Sequence, residues 1–114
     1  MSKQQEPSAQ PIITADFSII PLGIGTSVGD YLHKAYLAMK QVKGASLHPT
    51  GMSTVIEATD LQTIWQVVEE ARRALSEAGV QRMYMIVKID ERRDTPHPVN
   101  YKLARMTGEE KIDK

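Results

Sequence analysis

Cysteine is absent from the chain, aromatic residues are scarce, and neither sign of charge is in excess. Without cysteine, the 114 residues can form no disulfide, thiol nucleophile or thiolate metal site, which is compatible with a reducing compartment. Lysine plus arginine and aspartate plus glutamate number 14 each, and this balance argues against a surface for nucleic acid or for an anionic membrane. Several classes of function are therefore disfavoured before any motif is considered.

Long apolar runs are also missing. No stretch approaches the roughly 18 apolar residues of a membrane span, and the polar start, rich in Gln, Ser and Pro, has no apolar core of a signal peptide. We expect a disordered tail over residues 1–11, one domain over residues 12–106 and a frayed C-terminus over residues 107–114. A soluble, cytoplasmic protein is the corresponding prediction for localisation.

Hydrophobic periodicity predicts the secondary structure. Residues 12–20 alternate, and Ile13, Ala15, Phe17 and Ile19 share one face, as in a strand with one buried side. The same reasoning predicts three more strands, over residues 45–49, 53–58 and 82–90. It predicts two helices, one over residues 28–43 and one that begins at Leu61 and stops at Gly79. One or two helical turns are expected over residues 99–106.

Local signals predict where the first strand and helix meet. Pro21 has no N–H for a sheet ladder and is expected to end the strand. Ser27 is expected to cap the first helix, and Gly44 to stop it. Thr59 or Asp60 is expected to cap the second helix.

The order β-α-β-β-α-β predicts an α+β fold, the ferredoxin-like βαββαβ sandwich. In that fold a four-stranded antiparallel sheet carries two helices on one face. The other face is expected to expose apolar side chains, namely Ile12, Ile20, Tyr84, Ile86 and one of Val55 or Ile56. A large exposed apolar patch indicates a partner, so we expect a homo-oligomer that packs sheet on sheet.

The segment Gly23-Ile24-Gly25-Thr26-Ser27 lies where a strand turns into a helix, and two interpretations of it stay open. A helix N-terminus attracts anions, yet the Gly-Lys-Ser/Thr ending of a P-loop is absent, and Val28 stands where the dinucleotide fingerprint has its third glycine. A capped turn is the favoured interpretation, and a ligand-lining loop is the alternative.

Motifs for other chemistries are weak. The three histidines are isolated in sequence, so we expect no metal site. The last strand has one aromatic residue and no RNA-binding pattern, and the first loop lacks the arginine of an acylphosphatase-type cradle. A small enzyme that uses Glu57 or Asp90 as a general base is the catalytic alternative.

The motifs "IIPLGIGTSVGDY", "HPTGMSTVIEA" and "EAGVQRMYMIVKIDERRD", followed by Lys102, resemble the small family of thiamine-binding proteins related to YkoF. The resemblance spans residues 12–106. It implies a ferredoxin-like fold and a homo-oligomer, a dimer of dimers. It also implies binding of thiamine or its hydroxymethylpyrimidine part as a ligand, with no cofactor and no demonstrated enzyme activity.

Given that resemblance, the sequence offers each part of a site for a cationic aminopyrimidine. A carboxylate, hydroxyl groups, an aromatic wall and a close backbone are the required features. The predicted ligand-binding residues are Glu57 for the amino group or positive ring, Ser18, Ser27 and Thr54 for the pyrimidine, Tyr31 for the wall, and Leu22 and Gly23 for the backbone approach.

Two departures from the family pattern lie beside this predicted site. The family runs from a His-Pro-x-Gly turn directly into Thr, whereas Met52 and Ser53 intervene here between Gly51 and Thr54. Ala58 stands where the family tends to have glycine. We expect the insertion to reshape the hairpin at the pocket, and it keeps open a structural or regulatory oligomer with a vestigial pocket.

Overall fold

The computed structural model describes residues 11–108. The predicted tail therefore lies outside the described residues except for Pro11, as does the predicted frayed end beyond Gly108. The elements are, in chain order, β1 (Ile13–Leu22), α1 (Gly29–Met39), β2 (Ser46–Pro49), β3 (Thr54–Ala58), α2 (Leu61–Glu77), β4 (Arg82–Glu91) and α3 (Val99–Thr107).

The four strands form one antiparallel sheet in the order β2-β3-β1-β4, which confirms the predicted ferredoxin-like fold. β4 pairs with β1 along its whole length, from Ile13 to Leu22. β3 pairs with β1 only from Ile13 to Phe17. β1 therefore has an unpaired edge beyond Phe17.

The prediction that β1 ends at Pro21 is wrong, because the strand continues through Pro21 to Leu22, opposite Met83 and Arg82 of β4. Proline is tolerated on a strand that is hydrogen-bonded on one side alone, since its nitrogen can face the open side. The short β3 provides that open side.

The core lies between the sheet and the two helices α1 and α2. Alternate residues of β1 are buried there, from Ile13 to Ile19, and they pack against buried side chains such as Ile64 and Leu75 of α2. Ile56 is fully buried on this side, so Val55 is the β3 residue that points to the opposite face. The buried stripe of α2 runs through Ile64, Val67, Ala71 and Leu75, and Trp65 lies beside it, half exposed.

The prediction that Ser27 caps α1 is wrong. The helix starts at Gly29, the residue at the cap position is Val28, and no side chain caps the helix. Ser27 lies one residue too early for its hydroxyl to serve as the cap. The helix also ends at Met39 rather than near residue 43, and the chain leaves it through tighter turns in which Val42 donates to the carbonyl of Met39 at 3.2 Å.

α3 lies on the sheet face opposite α1 and α2. Its first N–H, from Val99, donates to the carboxylate of Glu57, and its Lys102 donates to Asp90 at 2.7 Å. Glu57 and Asp90 both flank Thr14 in the sheet, and Thr14 alternates with buried residues of β1. The helix-free face of the predicted fold is therefore partly covered by α3.

Neighbouring residues of β3 provide a test of which side holds the core. Ile56→Ala removes a fully buried side chain and should lower the free energy of unfolding by about 2–5 kcal/mol. Val55→Ala, on the other side of the same strand, should cost less than about 1 kcal/mol. Urea denaturation followed by circular dichroism measures both. Equal losses for the two variants would contradict the assigned faces.

The cap of α2 provides a pH-dependent test. The carboxylate of Asp60 accepts from the N–H of Thr63 at 2.7 Å, and this bond, followed by the one from the Thr63 hydroxyl, lowers the pKa of Asp60 below its ordinary 3.8. The stabilisation is therefore complete above that ordinary pKa and is lost as the pH falls through the lowered value.

Asp60→Asn keeps an acceptor but does not titrate. Its free energy of unfolding should consequently fall less than that of the unaltered protein when the pH drops from about 5 to about 2. Urea denaturation at a series of pH values gives the two curves. Curves of identical slope would show that the Asp60 cap does not contribute to the acid sensitivity.

Candidate functional site

A cleft of about 520 Å³ lies along the unpaired edge of β1, between α1 and the loop that joins β2 to β3. This volume is within the range of pockets that hold small molecules, roughly 300–1,000 Å³. The cleft exists because β3 stops pairing at Phe17 while β1 continues.

The loop between β2 and β3 forms one wall of the cleft. The Thr50 hydroxyl oxygen of this loop accepts hydrogen bonds from the N–H groups of Met52 and Ser53 at 3.1 and 3.0 Å, and these bonds close the turn. The Ser53 hydroxyl donates to Asp16 at 2.6 Å, and the Ser18 hydroxyl donates to the Met52 carbonyl at 3.3 Å. The two inserted residues are thus tied to β1 and line the cleft.

α1 forms the opposite wall. Gly29, Leu32, His33 and Tyr36 lie along it at helical spacing, and the buried Phe17 contributes to the floor. A side chain added at Gly29 would meet no atom within 4 Å, so the absence of a side chain leaves this part of the cleft open. The wall combines apolar surface with one imidazole and one phenol.

The edge of β1 adds polar groups to this apolar surface. In a strand, the N–H and C=O of every second residue point to the same side, and on the β3 side nothing in the ladder pairs with them beyond Phe17. Backbone groups between Ser18 and Pro21 therefore face the cleft, where a planar ligand with both donors and acceptors can bind them.

The predicted ligand-binding residues lie in several places. Ser18 and Thr54 line the cleft. The other five do not line it. Leu22 and Gly23 border a shallow depression next to Arg82, and Ser27 is exposed before the start of α1. Tyr31 is half-buried and packs against the core, and Glu57 lies on the far face of the sheet. Their roles in ligand binding stay predictions.

Glu57 is engaged on both oxygens within the chain. Its Oε1 lies 3.0 Å from Nε2 of His48 on β2, and its Oε2 accepts from the first N–H of α3, at Val99. The Glu57 side chain is only 15% exposed, which strengthens both contacts. The carboxylate thus caps a helix that has no side-chain cap of its own.

Sequence reasoning missed His33 and Tyr36 as cleft residues. Both lie beside the buried stripe of α1, which contains Ala35 and Met39, and this flanking position was the available signal. The link from Glu57 to Val99 was also missed, because nothing in either segment marks the other as its neighbour.

Among residues 11–108, no group of three or more His, Cys, Asp or Glu side chains is arranged to hold a metal ion. Within the same residues, no helix combines the length and the apolar character needed to cross a bilayer.

The order of the elements and of the strands in the sheet defines a ferredoxin-like α+β protein. A family model described as thiamine-binding protein matches residues 15–107. The chain therefore belongs to the thiamine-binding protein family, which confirms the resemblance seen in the motifs.

Relatives and solved structures agree with this assignment. A UPF0045 protein from Methanothermobacter thermautotrophicus is 39% identical over 84 residues, which cover 73% of this chain and 84% of the relative. The hypothetical protein MJ1052 from Methanocaldococcus jannaschii has a solved structure that is 34% identical, with a TM-score of 0.76 over 84% of this chain and 96% of that one.

A third structure shares the fold. It is a Thermotoga maritima protein provisionally named for thiamine biosynthesis or salvage, and it matches with a TM-score of 0.70 over 84% of this chain and 99% of that one. Its sequence identity is 17%, so the likeness concerns the fold alone.

The capping role of Glu57 predicts a loss of stability on truncation. Glu57→Ala leaves the half-buried His48 and the Val99 N–H without their partner, and the free energy of unfolding should fall by about 1–3 kcal/mol. Hydrogen exchange should show faster exchange of the α3 amides than in the unaltered protein.

Glu91→Ala is the matched control, because this carboxylate lies exposed at the end of β4. It should change neither the stability nor the exchange of α3 by a measurable amount. Protection of α3 that survives Glu57→Ala unchanged would contradict the capping role.

Proposed function

We propose that the protein binds thiamine or a related hydroxymethylpyrimidine compound in the cleft along β1, without catalysis. The observation that carries the proposal is the unpaired edge of β1 inside an apolar cleft, in a chain that belongs to the thiamine-binding protein family. An aminopyrimidine has donors and acceptors along one edge and two apolar faces. Such a ring can pair with a strand edge while its faces contact side chains.

The side chains of the cleft suit such a ring. Tyr36 offers an aromatic face, which also attracts a cationic ring such as the thiazolium of thiamine. Thr54 and Ser18 add hydroxyl groups near the exposed strand edge. The inserted Met52, with 88% of its surface exposed, lies at the loop and can pack over a bound ligand.

The positions of the carboxylates support a non-catalytic role. Glu57 and Asp90, the candidate general bases, do not line the cleft. Both oxygens of Glu57 are engaged by His48 and Val99, and Asp90 accepts from Lys102. A general base must reach the proton that it removes, and these groups lie on the other side of the sheet.

Association into a cytoplasmic homo-oligomer, a dimer of dimers, is the second part of the proposal. On the sheet face that α3 partly covers, Ile20, Tyr84 and Ile86 remain 40%, 59% and 44% exposed. Ile20 lies directly opposite Tyr84 across β1 and β4, and Ile86 is the next residue on the same face of β4, so the three side chains are neighbours. Sheet-on-sheet packing would remove their apolar surface from water.

Filling the cleft tests the binding proposal. Gly29→Phe adds a ring to the α1 wall, where no atom lies within 4 Å, and should weaken binding of thiamine or hydroxymethylpyrimidine at least tenfold. Gly29→Ala is the matched control, because it makes the same change of backbone freedom but adds only one methyl group. Isothermal titration calorimetry with thiamine, its phosphates and hydroxymethylpyrimidine measures the affinities.

The titration results test the proposed ligand class and the proposed binding site separately. No heat with any of these compounds would contradict the proposed ligand class. Equal affinities for Gly29→Phe and the unaltered protein would place the ligand outside this cleft. Mass spectrometry of thiamine after long incubation with the protein should recover it unchanged, and a product that accumulates with protein concentration would contradict the non-catalytic role.

A further inference from the structure

One stripe of α1 brings basic and hydrogen-bonding groups to the wall of the cleft. His33 and Tyr36 line the cleft about one helical turn apart, and Lys40 follows after another turn, at the end of the helix. The Lys40 ammonium lies over the Tyr36 ring, with its nitrogen 5.5 Å from the ring centroid. An imidazole, a phenol hydroxyl and an ammonium group are therefore neighbours at this wall.

The two basic groups have no carboxylate partner in the described part of the chain. Neither His33 nor Lys40 takes part in any of the ion pairs formed within residues 11–108. No aspartate or glutamate is among the described residues that line the cleft. Asp30 lies on α1 outside this lining, and Asp16 accepts from the Ser53 hydroxyl at 2.6 Å. The charged groups at the α1 wall therefore favour a ligand with a negative charge.

The Lys40 ammonium also affects what the Tyr36 ring can bind. A cation is attracted to the face of an aromatic ring, and here the chain's own cation already lies over that ring. A thiazolium stacked on the same ring would be repelled by this ammonium, because two like charges a few ångströms apart raise the energy of the pair. A positively charged ligand thus gains less from this wall than a neutral or negatively charged one.

We propose that the cleft selects among pyrimidine ligands by charge. A phosphate monoester of hydroxymethylpyrimidine binds more tightly than the neutral alcohol, and the neutral alcohol binds more tightly than the thiamine cation. The aminopyrimidine pairs with the free edge of β1, and the phosphate lies against His33, Tyr36 and Lys40. This inference rests on the proposed function and adds to it the charge and the phosphorylation state of the ligand.

The donors at this wall match the chemistry of a phosphate monoester. Such a group carries a charge of about −1.5 to −2 at neutral pH, and its oxygens are strong acceptors. Lys40 offers three N–H donors on a long flexible stem, Tyr36 offers its hydroxyl, and His33 donates from its imidazole whether it is neutral or protonated. Hydrogen bonds from a charged donor to a charged acceptor are stronger than those between neutral groups, so the phosphate should raise the affinity.

Isothermal titration calorimetry at neutral pH and low salt tests the order of affinities. The ligands are hydroxymethylpyrimidine, its phosphate monoester, thiamine, thiamine monophosphate and inorganic phosphate. The phosphate monoester should bind at least tenfold more tightly than the neutral alcohol, and thiamine should bind at least threefold more weakly than the alcohol. Thiamine monophosphate should bind more tightly than thiamine, and inorganic phosphate should bind at least a hundredfold more weakly than the pyrimidine monoester.

Removing the Lys40 charge tests its role in this preference. Lys40→Gln should lower the ratio of the two affinities, that of the phosphate monoester over that of the neutral alcohol, at least fivefold. Both affinities are measured on one variant, so a partial loss of folded protein does not change their ratio. Lys34→Gln is the matched control, because Lys34 is an exposed lysine of α1 that does not line the cleft. It should keep the ratio of the unaltered protein.

The results distinguish this inference from the proposed function. Equal affinities for the monoester and the neutral alcohol would overturn the selection by charge and leave the proposed function intact. A ratio that Lys40→Gln and Lys34→Gln lower equally would overturn the role of the α1 wall. Inorganic phosphate that binds as tightly as the monoester would reveal a general anion site and overturn the inference. No heat with any pyrimidine compound would contradict the proposed ligand class and this inference together.

Discussion

The unequal pairing of β1 determines most of the functional architecture. β4 follows β1 for ten residues, but β3 follows it for only five, so half of the central strand keeps one free edge. The backbone N–H and C=O groups along that edge need other hydrogen-bond partners, which either water or a ligand can provide. The helix α1 and the β2–β3 loop rise on its two sides, and the free edge becomes the polar line of an otherwise apolar cleft.

The two faces of the sheet perform different tasks as a result. The helix side contains the core and, at its margin, the cleft. The opposite side contains Glu57, whose carboxylate connects β2, β3 and the start of α3. A partly buried carboxylate in a thiamine-binding family suggests a ligand contact at first, but here the charge compensates the unpaired N–H at a helix start. Its position is explained by architecture before any ligand is considered.

Secondary structure was predictable where the signal is local. Alternation in β1 predicted its buried face correctly, and the Asp60 cap of α2 lay at one of the two proposed positions. The errors lie at element ends. Pro21 did not end β1 and Ser27 did not cap α1, because an end depends on which neighbouring strand or turn is present, and that information is not in the segment itself. The same limit left Val55 and Ile56 undecided until the register with β1 was known.

The sequence by itself determined the order of strands and helices, the ferredoxin-like fold and membership of the family, because short-range periodicity and motif order carry that information. Only the tertiary structure decided which side chains meet. Ser18 reaches a carbonyl 34 residues away, and Glu57 reaches a backbone N–H 42 residues away. Such contacts depend on strand length and register. His33 and Tyr36 consequently line the cleft, whereas Glu57, the most suggestive carboxylate in the sequence, lies on the other side of the sheet.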